Sequence, residues 1–453
     1  MPYLFNTAEE VREMLAAIGV DSVDDLFDVI PADLQLQRTL DIPPGMSELE
    51  LTQHMRQLAA KNLHAGSAAC FLGGGSYDHF VPSVVDAIAA RGEFYTSYTP
   101  YQPEVSQGNL QAMFEYQTMI CQLTGMDVSN ASLYDGGSAT IEAVMMAVGA
   151  TRRRKVVVPA SLNPEYREIM ATYLVNLNVE IVTVGGESGA VALAELEELI
   201  DGETACVVLQ HPNFFGCYED VAGAVELAHR NGALMVQVFD PISLGLLKNP
   251  GELGVDIAVA EGQSLGTPML YGGPYLGVMA CREKFMRRLP GRIAGQTIDR
   301  RERRCWVLTL QTREQHIVRE KATSNICTNQ GLFALRAAVY LATVGPQGLR
   351  EIASLCVQKT EYARRQLTAD RFDIAFDRPT FKEFVVRDQC GQVPELLRRL
   401  RNHNILGGVD LGRGSPEFEN CFLVAVTEKR SRQEIDQWAA CLQGAPCESA
   451  IHA

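Results

Sequence analysis

The stretch that decides the fold runs ALMVQVFD from Ala233 to Asp240 and resumes as DIAVAEGQSLGTPMLYGGPYLGV from Asp256 to Val278. The first apolar run closes on Asp240, the second on Glu261-Gly262-Gln263, and a third begins at Tyr275. Short apolar runs rich in β-branched residues, separated by longer segments, read as buried parallel strands. In open sheets of this kind ligands bind beyond the carboxyl ends of the strands. Asp240 and Gln263, each just past a strand end, are therefore expected to face one crevice.

Working outward, the same alternation starts at Lys155. Strands are predicted at VVVPAS, VEIVTV, ACVVLQH, LMVQVFD, DIAVA and YLGVMA, with helices at Pro164–Leu174, Leu193–Ile200 and Val221–Asn231. That order predicts an α/β fold with a mostly parallel sheet covered on both faces. Further helices are expected over Leu110–Gly125, Ile141–Val148, Gln330–Val344 and Leu349–Leu367. After them, FDIAF, KEFVVRD, ILGGV and FLVAVTE read as strands of a smaller α/β layer. At the other end, Thr7-Ala8-Glu9-Glu10 and Ser47-Glu48-Leu49-Glu50 are capping-box patterns, each opening an amphipathic helix. The division expected is a helical arm over residues 1–65, a large domain over 66–330, and a long helix with a small domain over 331–453. The charged stretch from Arg292 to Asn329 reads as a solvated loop with an interface segment.

A chain of 453 residues, 47% hydrophobic and 21% charged, has ample core for two or three domains. A net charge of −15 argues against nucleic acid or anionic membrane as a main partner. No apolar run approaches the ~20 residues that span a bilayer. The start, MPYLFNTAEEVREML, is unlike a signal or transit peptide, so a cytoplasmic location is expected. The 12 cysteines are scattered with no CxxC pair. They are expected to be reduced, many of them in the core, with no metal site.

Five stretches carry side chains suited to binding. Gly73-Gly74-Gly75 is either a tight turn with close backbone packing or a weak nucleotide signal. Tyr95, Tyr98, Tyr101 and Gln102 lie in a loop with two prolines, either a rigid polar wall or surface turn packing. Ser138, in Asp135-Gly136-Gly137-Ser138, stands at a helix start. It is either an anion ligand, where N–H groups and helix dipole converge, or an ordinary cap. His211 follows a strand and is either structural or at the crevice. Thr323, Ser324 and Asn325 precede the long helix and could meet a phosphate there, of this chain or of a neighbouring subunit.

An Asp at one strand end with a lysine beyond a later one is the arrangement of pyridoxal-phosphate (PLP) enzymes of the aspartate-aminotransferase fold (fold type I). There the Asp pairs with the ring nitrogen and the lysine forms the Schiff base. Here the later position holds Gln263, and an amide cannot form an imine. Four stretches then carry a closer likeness: EFYTSYTPYQPEVSQGNLQAMFEYQTMICQLTGMDVSNASLYDGGSATIEA and LTLQTREQHIVREKATSNICTNQGLFAL, with PNFFG and YGGPYLGV between them. Across essentially its whole length the chain resembles the glycine decarboxylase, or P-protein, family of the glycine cleavage system, in its N-terminal-half (α, subunit 1) form.

The resemblance implies a split enzyme. A partner chain, P-protein subunit 2, holds PLP covalently through a His-Lys pair that aligns with Gly262-Gln263; this chain binds no cofactor covalently. The assembled enzyme takes glycine, releases CO2 and passes the aminomethyl group to the lipoyl arm of H-protein, with the protonated pyridine as electron sink. An α2β2 heterotetramer is the implied assembly. Tyr95, Tyr98, Tyr101 and Gln102 would wall the partner's site, and Thr323, Ser324 and Asn325 would approach its phosphate. Ser138, Asp240, Gln263 and His211 would line a vestigial pocket. Two other classes stay open: a stand-alone PLP enzyme using Lys248 or Lys284, and a non-catalytic scaffold that stabilises a partner or docks a carrier protein.

Overall fold

A computed structural model describes residues 5–186, 188–322, 324–327, 329–367 and 370–444. The chain divides into two compact units, Met1–Asn62 and Leu63–Ala453. The first carries helices α1 (Ala8–Ile18) and α2 (Glu48–Ala59), and both predicted capping boxes are formed. Thr7 and Ser47 each accept the N–H of a glutamate whose carboxylate returns to the cap N–H. Neither helix has a buried residue. Val29, Leu34, Leu40, Ile42 and Leu49 are all exposed.

The second unit is organised on a seven-stranded sheet. Its elements in chain order are α3 (Gln107–Thr124), β1 (Val128–Ser129), α4 (Gly136–Thr151), β2 (Lys155–Pro159), α5 (Pro164–Leu174), β3 (Glu180–Val184), β4 (Thr204–His211), α6 (Val221–Arg230), β5 (Leu234–Phe239), β6 (Ile257–Glu261) and β7 (Gly277–Cys281). The strand order is β1-β7-β6-β5-β4-β2-β3. The β2/β3, β2/β4, β4/β5 and β5/β6 pairs are parallel. The β6/β7 and β1/β7 pairs are antiparallel. The run at Tyr275 was expected to be a parallel strand; it returns directly beside β6 without a helical crossover, which forces the opposite direction.

Burial on both faces explains the near-continuous apolar runs. Val157, Val207, Leu209, Met235 and Ala258 point into one core, covered by α3, α6 and the long helix. Val156, Val208, Val236, Val238 and Val259 point into the other, under α4 and α5. Each fully buried aliphatic side chain contributes roughly 1.5–3 kcal/mol, so this alternation fixes the register.

A hairpin follows, β8 (Ile293–Ile298) and β9 (Arg304–Thr309), where a solvated loop was expected. Helix α7 (Gly331–Arg365) is broken at Gly345 (φ 60°) ahead of Pro346, between the two helices read from the sequence. It leads to a four-stranded antiparallel layer of β10 (Phe372–Ile374), β11 (Glu383–Asp388), β12 (Val409–Asp410) and β13 (Cys421–Ala425) in the order β10-β11-β13-β12. Helices α8 (Val393–Asn402) and α9 (Arg432–Leu442) belong to the same layer. Among the described residues ten cysteines are free thiols, but Cys441 is disulfide-bonded, correcting the expectation of reduced cysteines throughout.

Candidate functional site

The crevice beyond β5 and β6 exists, and Asp240, at the end of β5, lines a cavity of about 30 Å³ with Tyr77, Tyr166, Glu261, Lys382 and Glu383. A volume of that size accommodates little more than water. The crevice is filled by the chain's own polar side chains.

Lys382, 1% exposed and just before β11, reaches across from the small layer. Its Nζ lies 2.6 Å from Asp240 Oδ2 and 3.1 Å from His79 Nε2. It also sits 3.4 Å above the centre of the Tyr77 ring. The other oxygen of Asp240 accepts the N–H groups of Ile242 (2.9 Å) and Ser243 (3.3 Å). His79 Nδ1 lies 2.6 Å from Glu428 Oε2, and this contact with the imidazole holds the Glu428 pKa down at about 2 despite burial. His79, Cys356 and Glu428 are grouped closely enough to share a cation. The ammonium on the far side of His79 opposes one electrostatically, and Glu428 already serves His79 and the Phe80 N–H.

Gln263, 1% exposed, is fully bonded. Its Nε2 donates to Tyr77 O (3.0 Å) and Thr267 O (2.7 Å), and its Oε1 accepts the Tyr77 N–H (2.8 Å). The amide is a structural link, with no free group facing the cavity. Tyr77 continues the network by donating to Glu383 Oε2 (2.8 Å). Glu383 Oε1 accepts the Gly74 N–H (2.7 Å), and burial pushes its pKa up to about 7. The Gly73–Gly75 run is thus a close-packed turn: a Cβ at Gly73 would stand 2.3 Å from Glu383.

Ser138 closes a capping box with Asp135 at the start of α4, which is the cap reading of that motif. The acceptor placed on the helix start is Glu261. Gly136 N–H donates to its Oε2 (2.9 Å), while Gln263 and Leu276 N–H groups donate to Oε1 (2.9 and 3.1 Å). A side chain at Gly136 would meet the Glu261 backbone at 2.8 Å, so glycine is what lets strand end and helix start touch. Burial pushes Glu261 up to about 8 against those three donors. His211 faces away from the cavity: its Nδ1 accepts the Glu219 N–H (3.1 Å), its ring lies near Tyr218, and burial pulls its pKa to about 4. It is a neutral structural group.

A PLP group does not fit this crevice. The Asp240 carboxylate is already neutralised by Lys382, the helix start already holds a carboxylate, and the remaining volume is too small. The sequence alternatives Lys248 and Lys284 are not near it: Lys248 is exposed and Lys284 pairs with Asp256 (3.0 Å). Sequence reasoning missed Lys382, Tyr77, His79 and Glu261. Only Glu261 carried a signal, because it ends a strand.

The other predicted residues lie on an exposed face. Tyr95, Tyr98 and Tyr101 are 68%, 88% and 62% exposed, and Gln102 is exposed too. Tyr98 shares a cavity of about 200 Å³ with Asn329, Gln330 and Gly331. Thr323 lies outside the described residues; Ser324 is half-buried and Asn325 exposed. The Ser324 hydroxyl hydrogen-bonds Glu142, whose pKa burial raises to about 7. Cys327 N–H donates to Tyr134 Oη (3.3 Å), and Gln330 N–H to Ser132 Oγ (3.1 Å). Buried Arg292 ties the two stretches together. It donates to Asn329 Oδ1 (3.0 Å) and Cys327 O (3.2 Å) and stacks 5.7 Å from the Tyr101 ring.

The sequence profile described as "Glycine cleavage system P-protein" matches residues 1–442. A "Probable glycine dehydrogenase (decarboxylating) subunit 1" from Desulforamulus reducens is 53% identical over 442 residues, covering 97% of this chain and 99% of the relative. The protein of the same name from Carboxydothermus hydrogenoformans is 53% identical over 98% of this chain and 100% of its own. Among solved structures, an inhibitor-bound glycine decarboxylase (P-protein) of the glycine cleavage system is 43% identical with a TM-score of 0.89, covering 98% of this chain and 100% of that one. A sphingosine-1-phosphate lyase at 14% identity and TM-score 0.65 shares the fold, that of the PLP-dependent fold type I enzymes. The chain belongs to the glycine cleavage system P-protein family.

Proposed function

We propose that this P-protein family member works as subunit 1 of a two-chain glycine decarboxylase and completes an active site whose PLP is held by subunit 2. The assembled enzyme would decarboxylate glycine and pass the aminomethyl group to the lipoyl arm of H-protein, as an α2β2 heterotetramer in the cytoplasm. Among the described residues no helix is long and apolar enough to cross a membrane, which agrees with that setting. The divisions 1–65, 66–330 and 331–453 are our working domains. The chain's own crevice has no place for the cofactor, so its contribution is made from its surface.

One observation carries this reading. Two polar stretches distant in sequence, Tyr95–Gln102 and the described residues of 324–327 and 329–331, are held together on one exposed face by the buried Arg292. Three exposed tyrosines beside a small cavity are the kind of wet-ended aromatic surface that interfaces use. Covered by subunit 2, the tyrosines would exclude water from the reacting glycine and orient it. Ser324 and Asn325, with Thr323, would offer hydroxyl and amide donors to the partner's phosphate. The bare arm gives subunit 2 a further apolar surface to cover.

The test is the purified chain mixed with subunit 2. Tyr98→Ala or Ser324→Ala is expected to lower glycine–bicarbonate exchange about tenfold, the size of one contact of about 1.4 kcal/mol, while assembly persists. Wild-type exchange in both variants rejects the face. Full exchange by subunit 2 alone rejects the whole proposal and favours the scaffold.

A further inference from the structure

The missing lysine is the obvious reason for this chain to hold no cofactor, but the crevice holds a second one. Fold type I enzymes place an acidic side chain on the pyridine nitrogen, and phosphates are commonly bound at helix starts. Both positions are built here and both are taken. Asp240 carries the Lys382 ammonium at 2.6 Å, and the α4 start, with the Gln263 and Leu276 N–H groups, donates to the Glu261 carboxylate. The two occupants face one cavity. Lys382 cannot replace the Schiff-base lysine, because the pyridoxal aldehyde lies across the ring from the nitrogen that Asp240 would bind.

We propose that Lys382 and Glu261 are built-in substitutes for the cofactor's ring nitrogen and phosphate, so that restoring the amine at position 263 alone does not restore PLP binding. The slot is closed from both ends. Tyr77 lies beneath Lys382 and is bonded through its backbone to Gln263. The claim concerns the isolated chain and does not depend on pairing with subunit 2. Exchange in the mixture and PLP retention by the single chain can therefore fail separately.

Two measurements test it. In the first, Glu261→Ala frees three N–H donors, and inorganic phosphate is the probe. The melting temperature of the variant is expected to rise by about 2 °C or more over a chloride control at equal ionic strength, with no such difference for wild type. In the second, chains are incubated with PLP and passed through gel filtration. Wild type and Gln263→Lys are expected to emerge without PLP, and Glu261→Ala/Lys382→Ala/Gln263→Lys with close to one per chain. Stoichiometric PLP on Gln263→Lys alone overturns the proposal. So does a folded triple variant that retains none, or a Glu261→Ala chain indifferent to phosphate. If Gln263→Lys does not fold, equilibrium dialysis of PLP against wild type and Glu261→Ala/Lys382→Ala decides, binding being expected only in the latter.

Discussion

The crevice around Asp240 and the face around Tyr98 are made of similar polar side chains arranged to opposite ends. In the crevice each polar group has an internal partner: Lys382 meets Asp240 and His79, and Glu261 meets three backbone N–H groups. On the face the bonds lie beneath the surface, in Arg292, Ser132 and Tyr134, and leave the tyrosines and Asn325 outward. On the proposed function, the difference separates what a side chain does for its own chain from what it would offer to another. A self-satisfied polar cluster is poor ground for a ligand, because each new bond must displace an existing one. A stapled but outward-facing one has already met the cost of ordering its loops.

The sharpest way to break the comparison is Lys382→Ala. Removing one partner of a buried pair leaves Asp240 uncompensated, and a loss of about 3–5 kcal/mol is expected in urea unfolding. Lys382→Met combined with Asp240→Asn should recover most of it. If the single variant loses under about 1 kcal/mol, the crevice is not held by this pair. Next is Arg292→Met on the other side of the comparison. It strips Cys327 O and Asn329 of a charged donor, for about 2 kcal/mol, and frees the Tyr101 loop. Exchange in the mixture with subunit 2 should fall at least tenfold with subunit affinity little changed. Arg292→Lys should not rescue it, since a point ammonium cannot span the same acceptors and ring. Equal losses of affinity and rate would make Arg292 part of assembly and not of positioning.

The smallest effect is in pH. Glu261, raised to about 8, and Glu383 and Glu142, each raised to about 7, hold protons more tightly folded than at their unfolded value of about 4.3. Their contribution is fully present below about pH 4.3 and is lost as pH rises through about 7–8. Glu428, lowered to about 2, works the other way: its contribution is present above about pH 4.3 and lost as pH falls toward 2. Thermal midpoints should therefore fall on both sides of a mildly acidic maximum. Glu261→Gln should flatten the alkaline limb, leaving the variant relatively more stable at pH 9 than at pH 5. An unchanged limb would mean that Glu261 is ionised throughout.

Most of the architecture was legible because both-face burial writes itself into the chain. VVV at 156–158 and LMVQVF at 234–239 have no other economical reading, and the two capping boxes named their helices. Direction was not legible: an apolar run such as Gly277–Cys281 is the same parallel or antiparallel. The hairpin at Ile293–Thr309 was hidden by the exposed arginines at its turn, Arg300, Arg301, Arg303 and Arg304, which read as a solvated loop. In the site, Asp240 was legible from its strand end and does line the crevice, whereas the Gln263 amide is turned to Tyr77 and Thr267. Lys382 was invisible because a lysine opening the predicted strand KEFVVRD reads as surface; only the folding of the small layer onto the large one buries it.

The arm holds a last consequence. Helices of 11 and 12 residues with nothing buried are at the margin of what persists in water unaided, whatever their caps contribute. On the proposed pairing, a chain produced in excess of subunit 2 would carry an oily flank at the margin of order, an invitation to clumping and to degradation. That pairing would therefore call for matched synthesis of the two polypeptides.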